Sequence, residues 1–177
     1  MRGPAAADAA GLAARLADLA LLAMVVALAG VLTAALVMEI AYGEKPCPLC
    51  LLERIGMFGI CVGIVLHLRR GPSVRAIGLG FASALFLLVV SVRQVLLDIC
   101  PRPGHSYVGS AVLGLHMPVW SVLVAVAVLA GFAGVLVAFG EAVWRPGPRH
   151  PGPARAAGWA GLYAAALCAI NLITVAL

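Results

Sequence analysis

The chain has 177 residues, 64% of them hydrophobic and 11% charged, with a formal net charge of +5 and a mean hydropathy of +1.11. No water-soluble domain hides that much apolar surface, which excludes a soluble enzyme and marks an integral membrane protein. The basic balance does not point to nucleic acid, because Lys and Arg fall in short clusters between apolar runs, the pattern that sets orientation in a bilayer.

In chain order, residues 1–18 are Ala-rich with Arg2, Asp8, Arg15 and Asp18 and read as a cytoplasmic N-terminal tail leading into a helix. They show no short apolar core with a cleavage site, so no cleaved signal peptide is expected. The first span is expected from Leu19 to Met38, close to the ~20 residues a bilayer needs. Glu39 to Pro46 read as a polar connection. The second span starts near Cys47 and ends at His67 or Leu68. Its strictly apolar part, Ile55 to Leu66, is short, which puts Glu53 and Arg54 near the interface. The third span runs from Ala76 to Val92 and is followed by Arg93 and Gln94. A loop with Cys100, Pro101, Pro103, Gly104 and Gly109 leads to the fourth span, Val119 to Val143. The expected organisation is thus an all-α four-helix transmembrane domain over 19–143, a basic cytoplasmic linker over 144–155 and an additional transmembrane helix over 156–177. No internal repeat is present. Ala157, Gly161, Ala165 and Ala169 form a stripe of small residues on the fifth span, suited to close helix packing.

Orientation follows from the loops. Arg69, Arg70 and Arg75 lie between spans two and three, and Arg145, Arg149 and Arg155 between spans four and five. Both loops are expected on the cytoplasmic side. The Cys47 and Cys100 loops then fall outside, in the oxidising compartment of an inner membrane.

The chemistry concentrates in Lys45-Pro46-Cys47-Pro48-Leu49-Cys50-Leu51-Leu52-Glu53-Arg54. Pro48 suits the first turn of a helix, which puts Cys47 near its N-cap. Cys47, Cys50 and Arg54 follow i+3 and i+4 steps and share one face. The helix N-terminus and Arg54 both favour a thiolate, the nucleophilic form. Other readings of the pair are a structural disulfide or half of a zinc site. Zinc needs about four ligands, which this segment lacks, so no metal is expected. Closing a two-residue gap adds little stability, so redox activity is the favoured reading. Arg54 either anchors the span by snorkelling or holds the oxygen of a carbonyl acceptor such as a quinone. Glu53 suits a fold-supporting salt bridge and proton handling equally. Cys61 lies roughly 16 Å deeper on nearly the Cys50 face, yet it reads, like Cys168, as a small hydrophobe. His116 suits proton transfer near neutral pH, or interface anchoring like Trp120. Cys100 follows Asp98 at a helix C-terminus, where the negative dipole end disfavours a thiolate, and reads as a poor nucleophile.

Pro46-Cys47-Pro48-Leu49-Cys50 with Glu53-Arg54, and Gly114-Leu115-His116-Met117-Pro118-Val119-Trp120, resemble the signatures of the bacterial disulfide bond formation protein B (DsbB) family. The resemblance covers Ala34 to Phe139 and four spans. It implies a four-helix bundle in the bacterial inner membrane that reoxidises a periplasmic, DsbA-like thioredoxin-fold oxidase and passes electrons to the membrane quinone pool, ubiquinone or menaquinone. It also implies that Cys50 is the thiolate facing the quinone, Cys47 the cysteine that exchanges with other disulfides, and Arg54 the quinone-side arginine. The chain departs from better-known members in two ways. Its second outer loop holds Cys100 alone instead of a cysteine pair, and the fifth span is additional. Two alternatives therefore stay open: a quinone-linked thiol redox protein for a dedicated substrate, and a non-catalytic membrane assembly subunit with a structural disulfide.

Overall fold

The computed structural model describes residues 4–43, 47–99, 111–144 and 151–176. It is an all-α membrane protein. Five helices are long and apolar enough to cross a bilayer: α1 (Pro4–Tyr42), α2 (Pro48–Arg70), α3 (Val74–Ile99), α4 (Met117–Phe139) and α5 (Pro151–Ala176). A two-stranded antiparallel hairpin, β1 (Ala111–Val112) and β2 (Leu115–His116), leads directly into α4. Cys100 and the loop residues through Ser110, with Lys45, Pro46, Arg145 and Arg149, lie outside the described residues.

The helix bounds differ from the sequence expectation at both ends of α1, at the C-terminal ends of α3 and α4 and at the start of α5; α3 runs on to Ile99, so Arg93 and Gln94, expected after the third span, are helical. α1 has 39 residues, roughly 58 Å at 1.5 Å per residue, well beyond a hydrocarbon core of about 30 Å. Alanine has the highest helix propensity of any residue, and the Ala-rich N-terminal stretch extends the helix. At its other end α1 carries Glu39, which the sequence reading placed in a polar connection. α4 ends at Phe139, before Gly140 at φ 43, and a short 3-10 turn runs through Trp144. α5 begins at Pro151, inside the stretch expected as linker.

Within the bundle α2 packs between α1 and α3, α4 packs between α3 and α1, and α5 lies against α1 and α2. The shared interior is apolar, with Leu21, Leu28, Ile60, Ile64, Leu87 and Phe132 all at most 2% exposed. The closest approach is α2 against α3. A Cβ on Gly63 would lie 2.5 Å from the Gly80 nitrogen and 2.6 Å from the Ala76 carbonyl oxygen, so only glycine fits. Residue numbers on these two helices run in opposite senses, and the contact continues toward Gly56, opposite Leu87. Extending the same register brings the end of α3 over the start of α2.

The turn between α2 and α3 is tightly fixed. Ser73 caps α3 by accepting from the Ala76 N–H through Oγ at 3.2 Å. Its own N–H donates to His67 Nδ1 at 3.3 Å. The buried His67 ring meets Trp144 edge-on, with centroids 5.9 Å apart.

The fifth helix is part of the bundle. Ala157 is fully buried, and a Cβ at Gly161 would lie 3.0 Å from a Val65 methyl. Ala165 and Ala169, the other half of the expected small-residue stripe, are exposed, and the buried face continues through Ala164 and Leu167 instead. A strict four-residue spacing drifts around a helix of 3.6 residues per turn, which carries the stripe off the contact. Thr33 on α1 donates to the Ala29 carbonyl at 2.7 Å, so the Tyr163 hydroxyl of α5 is the donor in their 2.8 Å hydrogen bond.

Candidate functional site: a disulfide at a helix N-terminus

Cys47 and Cys50 form a disulfide, with Cα atoms 5.0 Å apart. Cys47 is the N-cap of α2, in extended conformation at φ −74 and ψ 160, and Pro48 fills the first turn. The Cys47 sulfur accepts a hydrogen bond from the Cys50 backbone N–H at 3.0 Å, and the Cys47 carbonyl accepts from Leu51 N–H at 3.1 Å. A sulfur therefore does here what Ser or Asp oxygens usually do at an N-cap. Both cysteines are half-buried. The pair is thus reachable from outside the bundle and sits where the partial positive charge of the helix end is largest.

Three charged or polar side chains, Arg54 and Glu53 of α2 itself and Gln94 of α3, complete the surroundings. Arg54, one turn below Cys50, turns to α1. Its Nη1 donates to Glu39 Oε2 at 2.5 Å, and its Nη2 donates to the Ala35 carbonyl at 3.3 Å. The guanidinium does not stand beside the sulfurs as an uncompensated charge, because Glu39 largely cancels its field. Glu53 is buried, and its Oε2 accepts from the Ser121 hydroxyl of α4 at 2.9 Å. Its partner is thus a hydroxyl and not a cation. Gln94, on α3 and 4% exposed, places its side-chain nitrogen 3.4 Å from the Cys47 sulfur and 3.5 Å from the Cys50 sulfur. Among the described residues, Gln94 Oε1 is buried with no hydrogen-bond partner, and the buried Ser91 hydroxyl stands beside the Glu53 carboxylate. Ser91 lies one turn before Gln94 on α3, so polar groups continue inward from the disulfide into the bundle.

His116 forms the N-cap of α4 with no side-chain capping bond and is half-buried. It stands at the same end of the bundle as the disulfide, because α2 and α4 both start there. Trp120 ties the hairpin down by donating from Nε1 to the Val112 carbonyl at 3.0 Å. Leu113 and Gly114 turn that hairpin with φ of 52 and 80, and Leu113 is 87% exposed. Cys61 is buried in the core and Cys168 half-buried, both as free thiols. Two surface cavities lie away from the disulfide. One of about 430 Å³ is lined by Arg69, Arg155 and Trp159 at the opposite end, and one of about 660 Å³ runs along α1 and α5.

The structure therefore brings together Cys47, Cys50 and, one turn away, Arg54. It adds Glu39, Glu53, Ser91, Gln94 and Ser121, of which sequence reasoning had weighed only Glu53 for a role. A signal for the others was present: polar side chains inside apolar spans are costly to bury and therefore informative.

A multi-pass helical bundle with a half-exposed C-x-x-C disulfide at a helix N-terminus is the architecture of a membrane thiol–disulfide protein. The family profile for Disulfide bond formation protein DsbB matches residues 17–137, and the chain belongs to that family. A relative from Chromobacterium violaceum, Disulfide bond formation protein B, is 33% identical over 103 residues, covering 55% of this chain and 62% of that protein. The chain thus spans less than two thirds of the length of this relative. No solved structure matches the chain. The matched residues stop within α4, so α5 lies outside the family match.

Proposed function

We propose that this protein is a membrane thiol:quinone oxidoreductase supporting disulfide bond formation, which reoxidises a periplasmic, DsbA-like thiol oxidase through Cys47–Cys50. The observation that carries the proposal is the half-exposed disulfide at the start of α2, backed by buried polar side chains from two other helices. A purely structural crosslink has no need of either feature. In the exchange, a thiolate of the partner attacks the Cys47 sulfur, the Cys47–Cys50 bond breaks, and Cys50 leaves as a thiolate. The partner's second thiol, as thiolate, attacks the mixed disulfide and releases Cys47. The partner has then lost two electrons and two protons, and the pair has gained two electrons and becomes a dithiol once both sulfurs are protonated.

A quinone fits the surroundings of the pair. Arg54 keeps guanidinium N–H groups beyond the two used on Glu39 and Ala35, and these can serve a carbonyl oxygen. Exposed apolar side chains around this end, including Ile55, Leu96 and Ile99, suit an isoprenoid tail. Arg54, Cys50 and His116 are the groups proposed to hold the headgroup. The chemistry supplied by a bound quinone is the removal of two electrons and two protons from the dithiol. The proposed location is the bacterial inner membrane, with the disulfide on the periplasmic side.

The test is quinone reduction by purified protein supplied with a reduced DsbA-type oxidase. Wild type should turn over, whereas Cys50→Ser and Cys47→Ser should not. Full turnover in either variant would overturn the redox assignment. Oxidation of one particular thiol protein, with no turnover of a general oxidase, would favour the dedicated-substrate reading.

A further inference from the structure

We infer that Gln94 is a catalytic residue of this site: its side-chain amide is the donor that stabilises the Cys50 thiolate when the disulfide opens. The inference rests on the redox reading above and adds to it a residue on another helix.

Three observations lead to it. First, the donors near the two sulfurs are unequally shared. The Cys50 backbone N–H is directed at Cys47, so the helix end serves the N-cap sulfur. Arg54 is engaged by Glu39 and by the Ala35 carbonyl. Among the described residues, the hydrogen bond that reaches the Cys50 sulfur comes from Gln94. Second, the orientation of the amide is fixed by chemistry. A disulfide sulfur carries no hydrogen and only accepts, so the NH2 end, with its two donors, must face the two sulfurs. Third, that orientation leaves Gln94 Oε1 buried without a partner among the described residues. Burying an unpaired carbonyl is unfavourable, and the NH2 contacts are what the amide gains in exchange.

The consequence concerns bond breaking. When a partner thiolate attacks Cys47, the electron pair of the S–S bond goes to the Cys50 sulfur. A thiolate accepts a hydrogen bond far better than a disulfide sulfur does, because the bond becomes charge-assisted. The Gln94 donor is therefore weak in the ground state and strong where charge develops, which is the requirement for catalysis. Gln94 transfers no proton. Because its reach spans both sulfurs at 3.4 and 3.5 Å, the same NH2 group serves whichever cysteine carries the charge in each half of the exchange.

The experiment titrates Cys50 alone. In a Cys47→Ser protein with Cys61, Cys100 and Cys168 changed to Ala, thiolate absorbance is followed against pH. Gln94→Met keeps the length and apolar volume and removes both donors; it should raise the Cys50 pKa by about one unit and slow its alkylation at fixed pH about tenfold. Gln94→Glu keeps the shape but replaces the donors with an acceptor, and should raise the pKa further. Gln94→Asn retains the donors but withdraws them by one methylene. It should behave like Gln94→Met, and it carries the test if the Met variant does not fold. A Cys50 pKa that is the same with Gln94 present and with each of these substitutions, all in the Cys47→Ser background, overturns the inference, whatever their stability. Failure of the wild-type protein to reduce quinone would overturn the redox reading instead, and the titration distinguishes the two.

Discussion

Arg54 on α2 and Glu39 on α1 form an ion pair at 2.5 Å, with side chains only 11% and 9% exposed. Removing one partner of a buried pair leaves an uncompensated charge and costs about 3–5 kcal/mol, whereas replacing both with apolar groups costs much less. Glu39→Ala should therefore lower the unfolding midpoint in detergent more than the double variant Glu39→Met with Arg54→Met. The pair also bears on the acceptor. Arg54→Lys should raise the apparent quinone KM, because a compact ammonium cannot serve Glu39, Ala35 and a carbonyl oxygen together as a planar fork can. Unchanged kinetics in Arg54→Ala would reduce this arginine to an anchor.

Among the glycines of α2, Gly63 makes the closest approach to the backbone of α3, and the register it sets continues to the contact of Gln94 with the sulfurs. Gly63→Val should destabilise the bundle by about 1–3 kcal/mol through forced helix separation and slow thiol exchange. Gly30→Ala is the control. Nothing lies within 4 Å of a Cβ there, so the substitution should be neutral or stabilising by about 0.5–1 kcal/mol. Equal behaviour of the two variants in thermal unfolding would remove the close approach from the account.

Sidedness is open to labelling. Leu113, at the hairpin tip, is 87% exposed, and Val74, at the start of α3, is 71% exposed, at opposite ends of the bundle. In a background without native thiols, Leu113→Cys should react with a membrane-impermeant maleimide in intact cells and Val74→Cys should not. The reverse pattern would put the disulfide in the reducing compartment and contradict the proposed direction of electron flow.

Cys100→Ala should retain most turnover. Asp98 before it and Pro101 after it in the sequence predict a helix C-terminus, whose negative end disfavours a thiolate, and the proposed exchange needs only Cys47–Cys50 and a partner dithiol. Loss of turnover, together with a trapped Cys100 adduct on the partner, would make Cys100 a member of the relay.

The spans were legible in the sequence because bilayer thickness translates into a length of apolar chain. Cys47 as N-cap was equally legible, because Pro48 marks a first helical turn. The pairings among side chains were not. Glu39 was hidden by the continuation of α1 past Met38, which turned an apparent loop carboxylate into a helix-borne partner for Arg54. Glu53 meets Ser121 across a sequence separation of 68 residues, and Gln94 meets the sulfurs across separations of 47 and 44. Such contacts depend on helix rotation and register, which a run of Ala, Val and Leu specifies only weakly. Gly63 was the local sign of the α2–α3 register, but a glycine among many in apolar runs does not identify its own neighbour.

The cap on α2 is made by an atom that changes charge during the proposed reaction. As part of a disulfide, the Cys47 sulfur is a poor acceptor for the Cys50 amide; as a thiolate it is a strong one. Delivering electrons to the pair therefore tightens the first turn of the helix instead of loosening it, and oxidation relaxes it. The Cys50 amide then becomes a readout of electron occupancy: its hydrogen exchange should slow on reduction above the thiol pKa, while amides in the middle of α2 keep their rates. In this way the helix end records the redox state of the pair.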